Sequence, residues 1–323
     1  MAATITLTQL ISEFGTYIGT NQKDILKLLT QKTKSQEYMT TVVSKDLEYR
    51  ASKAVIDDMV QGFQKAWTTK GTPAFTPISI PQRRHKFDLE FYPDEVFETW
   101  LGFLTDETKD RKSWPITKYI IEQLIMPKIA DNRELKLIGL GNYAAVQEGV
   151  AQATGLSMDG FITILNDLKD ASDTDVNWIT PSEGTITDSN AVDWFNEFAD
   201  SIGSLYQGVP MNIFCSARNF RRYSRKEKEL YGVNPAFTYG SAKIDGTPFT
   251  IVPLPSIGNR DNVFATPKEN FIRLINGNDG ASNIAVENVD RKIKIYGDWH
   301  ESVGFGIKEA IFAFAPNQAS ASA

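Results

Sequence analysis

Apolar positions along the chain recur first at helical and then at strand spacing. Leu7, Leu10, Ile11, Phe14, Tyr17 and Ile18 fall on one face at i, i+3, i+4 intervals and predict an N-terminal helix. From about Ser44 a second stripe, Leu47, Ala51, Val55, Met59, Phe63 and Trp67, steps by four and predicts a longer helix that Gly71 stops. The period then changes to two. "AFTPISI" leads through the basic turn "PQRR" to "HKFDLEFY", where Phe87, Leu89 and Phe91 alternate with charged residues. Two strands joined in this way predict a hairpin from Ala74 to Tyr92. Pro77 and Pro81 place its first strand at an edge or in a projection.

Helical spacing returns after Pro93, with Val96, Trp100 and Phe103 in register. A long helix over about 114–138 is predicted by two rows, Ile116/Ile120/Leu124 and Ile121/Ile125/Ile129. Pro127 lies inside it and removes one backbone bond, at a cost of roughly 3 kcal/mol, so packing against other elements has to hold this helix. Ala191, Phe195, Phe198, Ile202 and Leu205 mark another helix. "MNIFCS" reads as a buried strand feeding the charged helix "ARNFRRYSRKEKELYG", which ends at Gly232. The remainder is mostly strand: "NVFAT", "FIRLI", "KIKIY" and "EAIFAF", with Asp245-Gly246 as a tight turn. Helices and strands segregate along the chain, which gives an α+β class.

Composition adds little to that pattern. The 323 residues are 41% hydrophobic and 23% charged, an ordinary globular balance. A net charge of −6 argues against a dedicated DNA-reading domain, which is usually basic. The single cysteine, Cys215, excludes an intrachain disulfide and points to a reducing compartment. The first residues, "MAATITLTQL", lack the basic and apolar regions of a secretory signal, and no apolar run reaches membrane-spanning length.

Three patterns suggest chemistry. Gly139, Gly141 and Ala144 in "LIGLGNYA" have the G-x-G-x-x-A spacing of a dinucleotide-binding turn. A helix precedes them where that turn needs a strand, and no parallel strand follows at the proper distance. They read instead as a helix exit that uses the ability of glycine to take positive φ. Asp173, Asp175 and Asn177 match the first ligands of a calcium loop, but Trp178 stands where Gly is needed and Gly184 where Glu is needed. A solvated acidic loop is the reading. Cys215 with only two histidines, His85 and His300, supports neither nucleophilic catalysis nor a zinc site. No catalytic, cofactor-binding or metal-binding residue is assigned. The densest basic cluster, Arg218, Arg221, Arg222, Arg225, Lys226 and Lys228, is interleaved with Glu227 and Glu229 and reads as a solvent or subunit-contact face. Arg83 and Arg84 at the hairpin tip suit a carboxylate on a neighbouring subunit.

The order of these elements resembles the major capsid proteins of tailed phages, the Hong Kong 97 fold. "FDLEFYPDEVFETWLGFL" followed by "WPITKYIIEQLIMPKIADNRELKLIGLGN" is similar to that family's extended E-loop and the spine helix of its peripheral P domain. "NIFCSARNFRRYSRKEKELYG" resembles the strand and helix of its axial A domain. "DWHESVGFGIKEAIFAF" resembles its closing strands. The resemblance covers about residues 70–316. It implies a helical arm over 1–70, an E-loop hairpin over 71–92, a P domain over 93–185, an A domain over 186–270, return strands over 271–316 and a flexible tail over 317–323.

The function so implied is a shell subunit without enzymatic activity. It assembles as hexamers and pentamers into an icosahedral virion head, formed in the bacterial host cytoplasm. Portal, scaffolding and decoration proteins are the implied partners, with packaged double-stranded DNA contacted non-specifically and no membrane. The subunit-contact candidates are Arg83, Arg84, Lys86, Phe87, Leu89 and Phe91 on the hairpin and Arg221, Arg222 and Arg225 on the charged helix. Gly139 and Gly141 are the helix-exit glycines. The alternatives are an encapsulin-like compartment shell and, more distantly, a nucleotide-binding enzyme using the Gly139/Gly141 turn.

Overall fold

The computed structural model describes residues 16–17, 33–56, 59–70, 73–104, 116–232, 241–277, 284–289 and 292–316. The helix expected over Leu7–Ile18 lies almost entirely outside these residues, as does the expected tail.

Two sheets organise the described chain. The first contains β1 (Thr40–Ser44), β4 (Arg83–Phe91), β10 (Phe271–Asn276), β11 (Ile284–Val289) and β12 (Lys292–Phe305). The 14-residue β12 is its axis: β4 runs antiparallel to it from Ile293↔Phe91 to Glu301↔Arg83. β11 and β10 also pair with β12, antiparallel, at its start and its end. The second sheet has the order β5-β13-β9-β6-β8-β7. Its members are β5 (Asn177–Trp178), β6 (Asn212–Cys215), β7 (Ala242–Lys243), β8 (Thr250–Pro253), β9 (Val263–Thr266) and β13 (Phe312–Phe314).

Among the described residues five helices cover these sheets: α1 (Pro93–Phe103), α2 (116–138), α3 (Phe161–Asp170), α4 (Ala191–Asp200) and α5 (Ala217–Tyr231). The isoleucine rows of α2 pack with Trp100 against Ile284, Ile293, Ile295 and Trp299 of the first sheet. That contact is the packing Pro127 requires. Helix α2 accommodates the proline with a π-helical segment, Ile120–Ile125, immediately before it. The wider turn loosens the hydrogen-bond ladder where the missing N–H would interrupt it. Helices α4 and α5 pack Trp194, Phe195, Phe198, Phe220 and Tyr223 onto Ile213 and Ile251 of the second sheet and onto Phe249 just before β8. Between the two layers sits an aromatic cluster, Phe161, Phe214, Phe264, Phe271 and Phe305. Helix α5 begins at a Ser216 cap that accepts from Asn219 N–H and, as the sequence predicts, ends at Gly232, whose φ of +76° suits glycine.

The structure corrects the sequence reading in two places. The stripe from Leu47 to Trp67 does not form a helix. Glu48–Ile56 is a strand, β2, and 59–70 has no regular structure. A step of four is also a multiple of two, so Leu47, Ala51 and Val55 fit a strand face as well as a helix face. The partner decides the matter: β2 pairs antiparallel with β3 (Pro73–Pro81) from Glu48↔Pro81 to Ile56↔Pro73. The hairpin is therefore β2–β3, and no β3–β4 hairpin from Ala74 to Tyr92 forms. The chain crosses at Gln82, and β4 enters the first sheet.

Candidate functional site

The β2–β3 ribbon forms a sheet of its own, with two 9-residue strands. It is anchored at its base, where Ile80 is 5% exposed and packs on Ile272 and Leu274. Gln82 N–H also donates to Leu47 O at 2.8 Å there. At the far end Val60, Phe63 and Trp67 are 89%, 95% and 92% exposed. A lone hairpin is marginal in water, and large apolar side chains in such a position mark a contact surface. The tip residues 59–70 include Lys65 and Lys70 and no carboxylate. Met59, Phe63 and Trp67, which the sequence puts in a helical stripe with Leu47, lie instead in this irregular tip.

The contact candidates placed on β4 have partners within the chain. Phe87 and Phe91 pack against the α2 cluster. Leu89 shares their face and is 45% exposed. Arg84 pairs with Asp298, Lys86 Nζ lies 2.7 Å from Asp88 Oδ2, and the Arg83 guanidinium sits 3.5 Å from the centre of the Tyr143 ring. The alternation in "HKFDLEFY" identified a two-faced strand correctly, but it carries no information on which strand lies alongside. On α5, Arg222 is also engaged: it donates to Ile186 O at 2.7 Å and to Asn219 Oδ1 at 3.2 Å. Arg221 and Arg225 are exposed.

Gly139 and Gly141 end α2 without positive φ. Gly139 has φ −93° and ψ −51°. Their role is close approach. A Cβ at Gly139 would lie 1.9 Å from Ser256 O, and one at Gly141 2.5 Å from Met158 O. Gly141 N–H donates to Leu137 O at 3.0 Å, while Gly139 O accepts from Ile162 N–H at 3.0 Å. Backbone therefore fills the space a phosphate would take, and no strand leads into the turn. In the acidic loop, Asp173 accepts from Asp175 N–H and from Lys308 Nζ, so its carboxylate is already balanced. Among the described residues no group of His, Cys, Asp or Glu is arranged to hold a metal ion. Burial pushes the Cys215 thiol well above its ordinary value, the reverse of nucleophile activation. No helix of the described residues is long and apolar enough to cross a membrane.

A buried ionic node ties the layers together. Arg133 on α2 grips Glu301 on β12 with Nε–Oε2 and Nη2–Oε1 contacts of 2.8 Å, and Arg273 Nε on β10 adds another at 2.8 Å. All three side chains are at most 3% exposed. Burial alone would raise the Glu301 carboxyl, but the two guanidinium groups outweigh it and hold that carboxyl well below the usual range. Gln36, in the segment preceding β1, donates to Glu301 and accepts from Arg133 Nη2 at 3.0 Å. His85 stacks on Trp299 and contacts Glu301 O at 3.0 Å, and burial holds its imidazole below the ordinary value. Nothing in the sequence pattern marked this node, because its members are spread over more than two hundred positions.

No model of a known family and no curated protein matches the chain by sequence. Solved structures do match. A chain of the satellite phage P4 procapsid that includes the size determination protein superposes with a TM-score of 0.58 at 11% identity, covering 96% of this chain and 97% of that one. The cyanophage A-1(L) capsid matches with a TM-score of 0.52 at 13% identity over 90% and 91%. The capsid of the native GTA particle matches with a TM-score of 0.52 at 11% identity over 86% and 88%. The chain has a phage-capsid fold.

Proposed function

We propose that the chain is a major capsid protein of the Hong Kong 97 type, which assembles as hexamers and pentamers into the icosahedral head of a tailed phage. Its action is assembly and involves no chemical reaction. The observation that carries this reading is the projecting β2–β3 ribbon with its exposed apolar tip, on a capsid fold that spans nearly the whole chain. In this reading the ribbon is the E-loop, displaced towards the N-terminus from residues 71–92. Helix α2 is the spine helix, the first sheet with α2 forms the P domain, and the second sheet with α4 and α5 forms the A domain. The ribbon reaches over a neighbouring subunit and buries Phe63 and Trp67 there. Each contact is modest, and repetition around closed symmetry gives the shell its strength. Double-stranded DNA fills the interior without sequence readout, and portal, scaffolding or decoration proteins complete the particle.

Electron microscopy of the purified full-length chain tests this. Closed shells or hexameric and pentameric rings are expected. A stable monomer or dimer under all assembly conditions overturns the proposal. Nucleic acid recovered from particles made during infection then separates a phage head from a protein compartment.

A further inference from the structure

The two faces of α5 differ in charge and in what they meet. Arg221 and Arg225 lie on the exposed face, and among the described residues neither makes a hydrogen bond or ion pair. Tyr223 and Glu227 lie on the opposite face, since a step of two residues on a helix turns by about 200°. They line a cavity of about 270 Å³ with Asn196 and Asp200 of α4 and Asp245 and Thr247 of the β7–β8 turn.

Three carboxylates border that cavity, and no lysine or arginine does. Gly246, at φ +74°, lets the chain turn tightly beside Asp245. Glu227 is only 9% exposed, yet no hydrogen bond or ion pair engages its carboxylate among the described residues. Of the two lysines adjacent to it along the helix, Lys226 is directed to Glu229 at 3.2 Å, and Lys228 has an interaction of its own. Burial, then the Asp245 charge, pushes the Glu227 carboxyl up. Burial followed by Glu227 and Asp245 does the same to the Tyr223 hydroxyl. The lining is thus acidic with no basic residue among it, an environment that favours a cation.

We propose that this acidic cavity receives the Arg221/Arg225 face of α5 from the next copy of the chain. A guanidinium fits the chemistry, because its planar donors match carboxylates in pairs. The basic face and the acidic cavity lie on opposite sides of one helix, so no chain fills its own cavity. The contact is head-to-tail, and a head-to-tail contact closes into rings when the rotation permits. This rests on the reading of the chain as a self-assembling shell subunit and adds to it which charged surfaces meet. It uses Arg221 and Arg225 and leaves Arg222 to its bonds within the chain.

Charge reversal at exposed positions of the full chain tests it. Arg221→Glu/Arg225→Glu alters the face, and Asp200→Lys/Asp245→Lys alters the cavity rim. Assembly is measured by sedimentation velocity and electron microscopy, and each monomer is checked by thermal melting. Either double substitution is expected to lower the assembled fraction about tenfold, the scale of one lost interfacial charge pair. Combining all four in one chain is expected to restore it, and mixing the two altered proteins, whose copies can alternate only around an even-numbered ring, is expected to restore hexameric rings. Wild-type assembly with silent reversals overturns the cavity assignment and leaves the shell reading standing. Losses that neither the combined chain nor the mixture recovers also overturn it. A wild-type chain that never assembles overturns both. Spermidine serves as a free polycation probe. Stabilisation by spermidine that disappears in Asp200→Lys/Asp245→Lys, with assembly unaffected, assigns the cavity to a soluble ligand and overturns the proposal.

Discussion

Strands β3 and β4 are separated by a single residue, Gln82, and have opposite fates. β3 pairs only with β2 and runs out into the ribbon, whereas β4 lies along the whole middle of β12 beneath α2. Both alternate, both are 9 residues long, and both carry charged or proline-rich positions. What differs is the neighbour. β4 delivers Phe87 and Phe91 to a core that α2 has already built. The ribbon is anchored at its base through Ile80, and its tip exposes Val60, Phe63 and Trp67. One region therefore stores the stability of the subunit, and the other is available for contacts between subunits.

That contrast orders the expected effects of substitution. The largest belongs to the node beside β4. Glu301→Ala leaves two buried guanidinium groups without their anion and is expected to cost about 3–5 kcal/mol, read from chemical denaturation of the monomer. Ile295→Ala, beneath α2, is expected to cost about 2–5 kcal/mol by opening a cavity. Gly139→Ala forces Ser256 and the end of α2 apart and is expected to cost about 1–3 kcal/mol. If any of these three leaves the melting temperature unchanged, the assignment of stability to the body fails.

Acid provides a graded version of the same test. The folded values of His85 and Glu301 both lie below their ordinary values of 6.5 and 4.5. The unfolded chain therefore takes up these protons first. Stability is full above each ordinary value and falls as the pH drops from there towards the folded value. Thermal melting from pH 8 to pH 3 is expected to show a first decline near His85's range and a steeper one near Glu301's. Stability that rises over this interval contradicts the sign. Substitutions at the ribbon tip come last: Phe63→Ser/Trp67→Ser is expected to shift monomer stability by less than about 0.5 kcal/mol, as for other exposed positions.

The elements legible in the sequence were those whose own residues decide them. The isoleucine rows of α2, the glycine stop of α5 and the buried run Asn212–Cys215 were readable because spacing and stop signals are local. The overall α+β order, and through it the capsid resemblance, followed from these. Helix α3 is less legible: Phe161, Ile162 and Leu165 have helical spacing, but the segment is only 10 residues long and has no side-chain cap. The ribbon was misread because a period of four fits both kinds of element, and only the pairing of β2 with β3 resolves it. The node of Arg133, Arg273 and Glu301 and the acidic cavity at Glu227 were not legible at all. Each is assembled from separate positions whose charges look like ordinary surface residues until the fold brings them together.

The central claim is that the ribbon tip serves contacts between copies and not the fold of one copy. Phe63→Ser/Trp67→Ser in the full-length chain, compared with wild type by thermal melting and by electron microscopy under the same assembly conditions, tests it directly. The account predicts an unchanged melting temperature for the monomer and a loss of closed shells. Normal shells from the substituted chain, or a monomer that no longer folds, contradicts it.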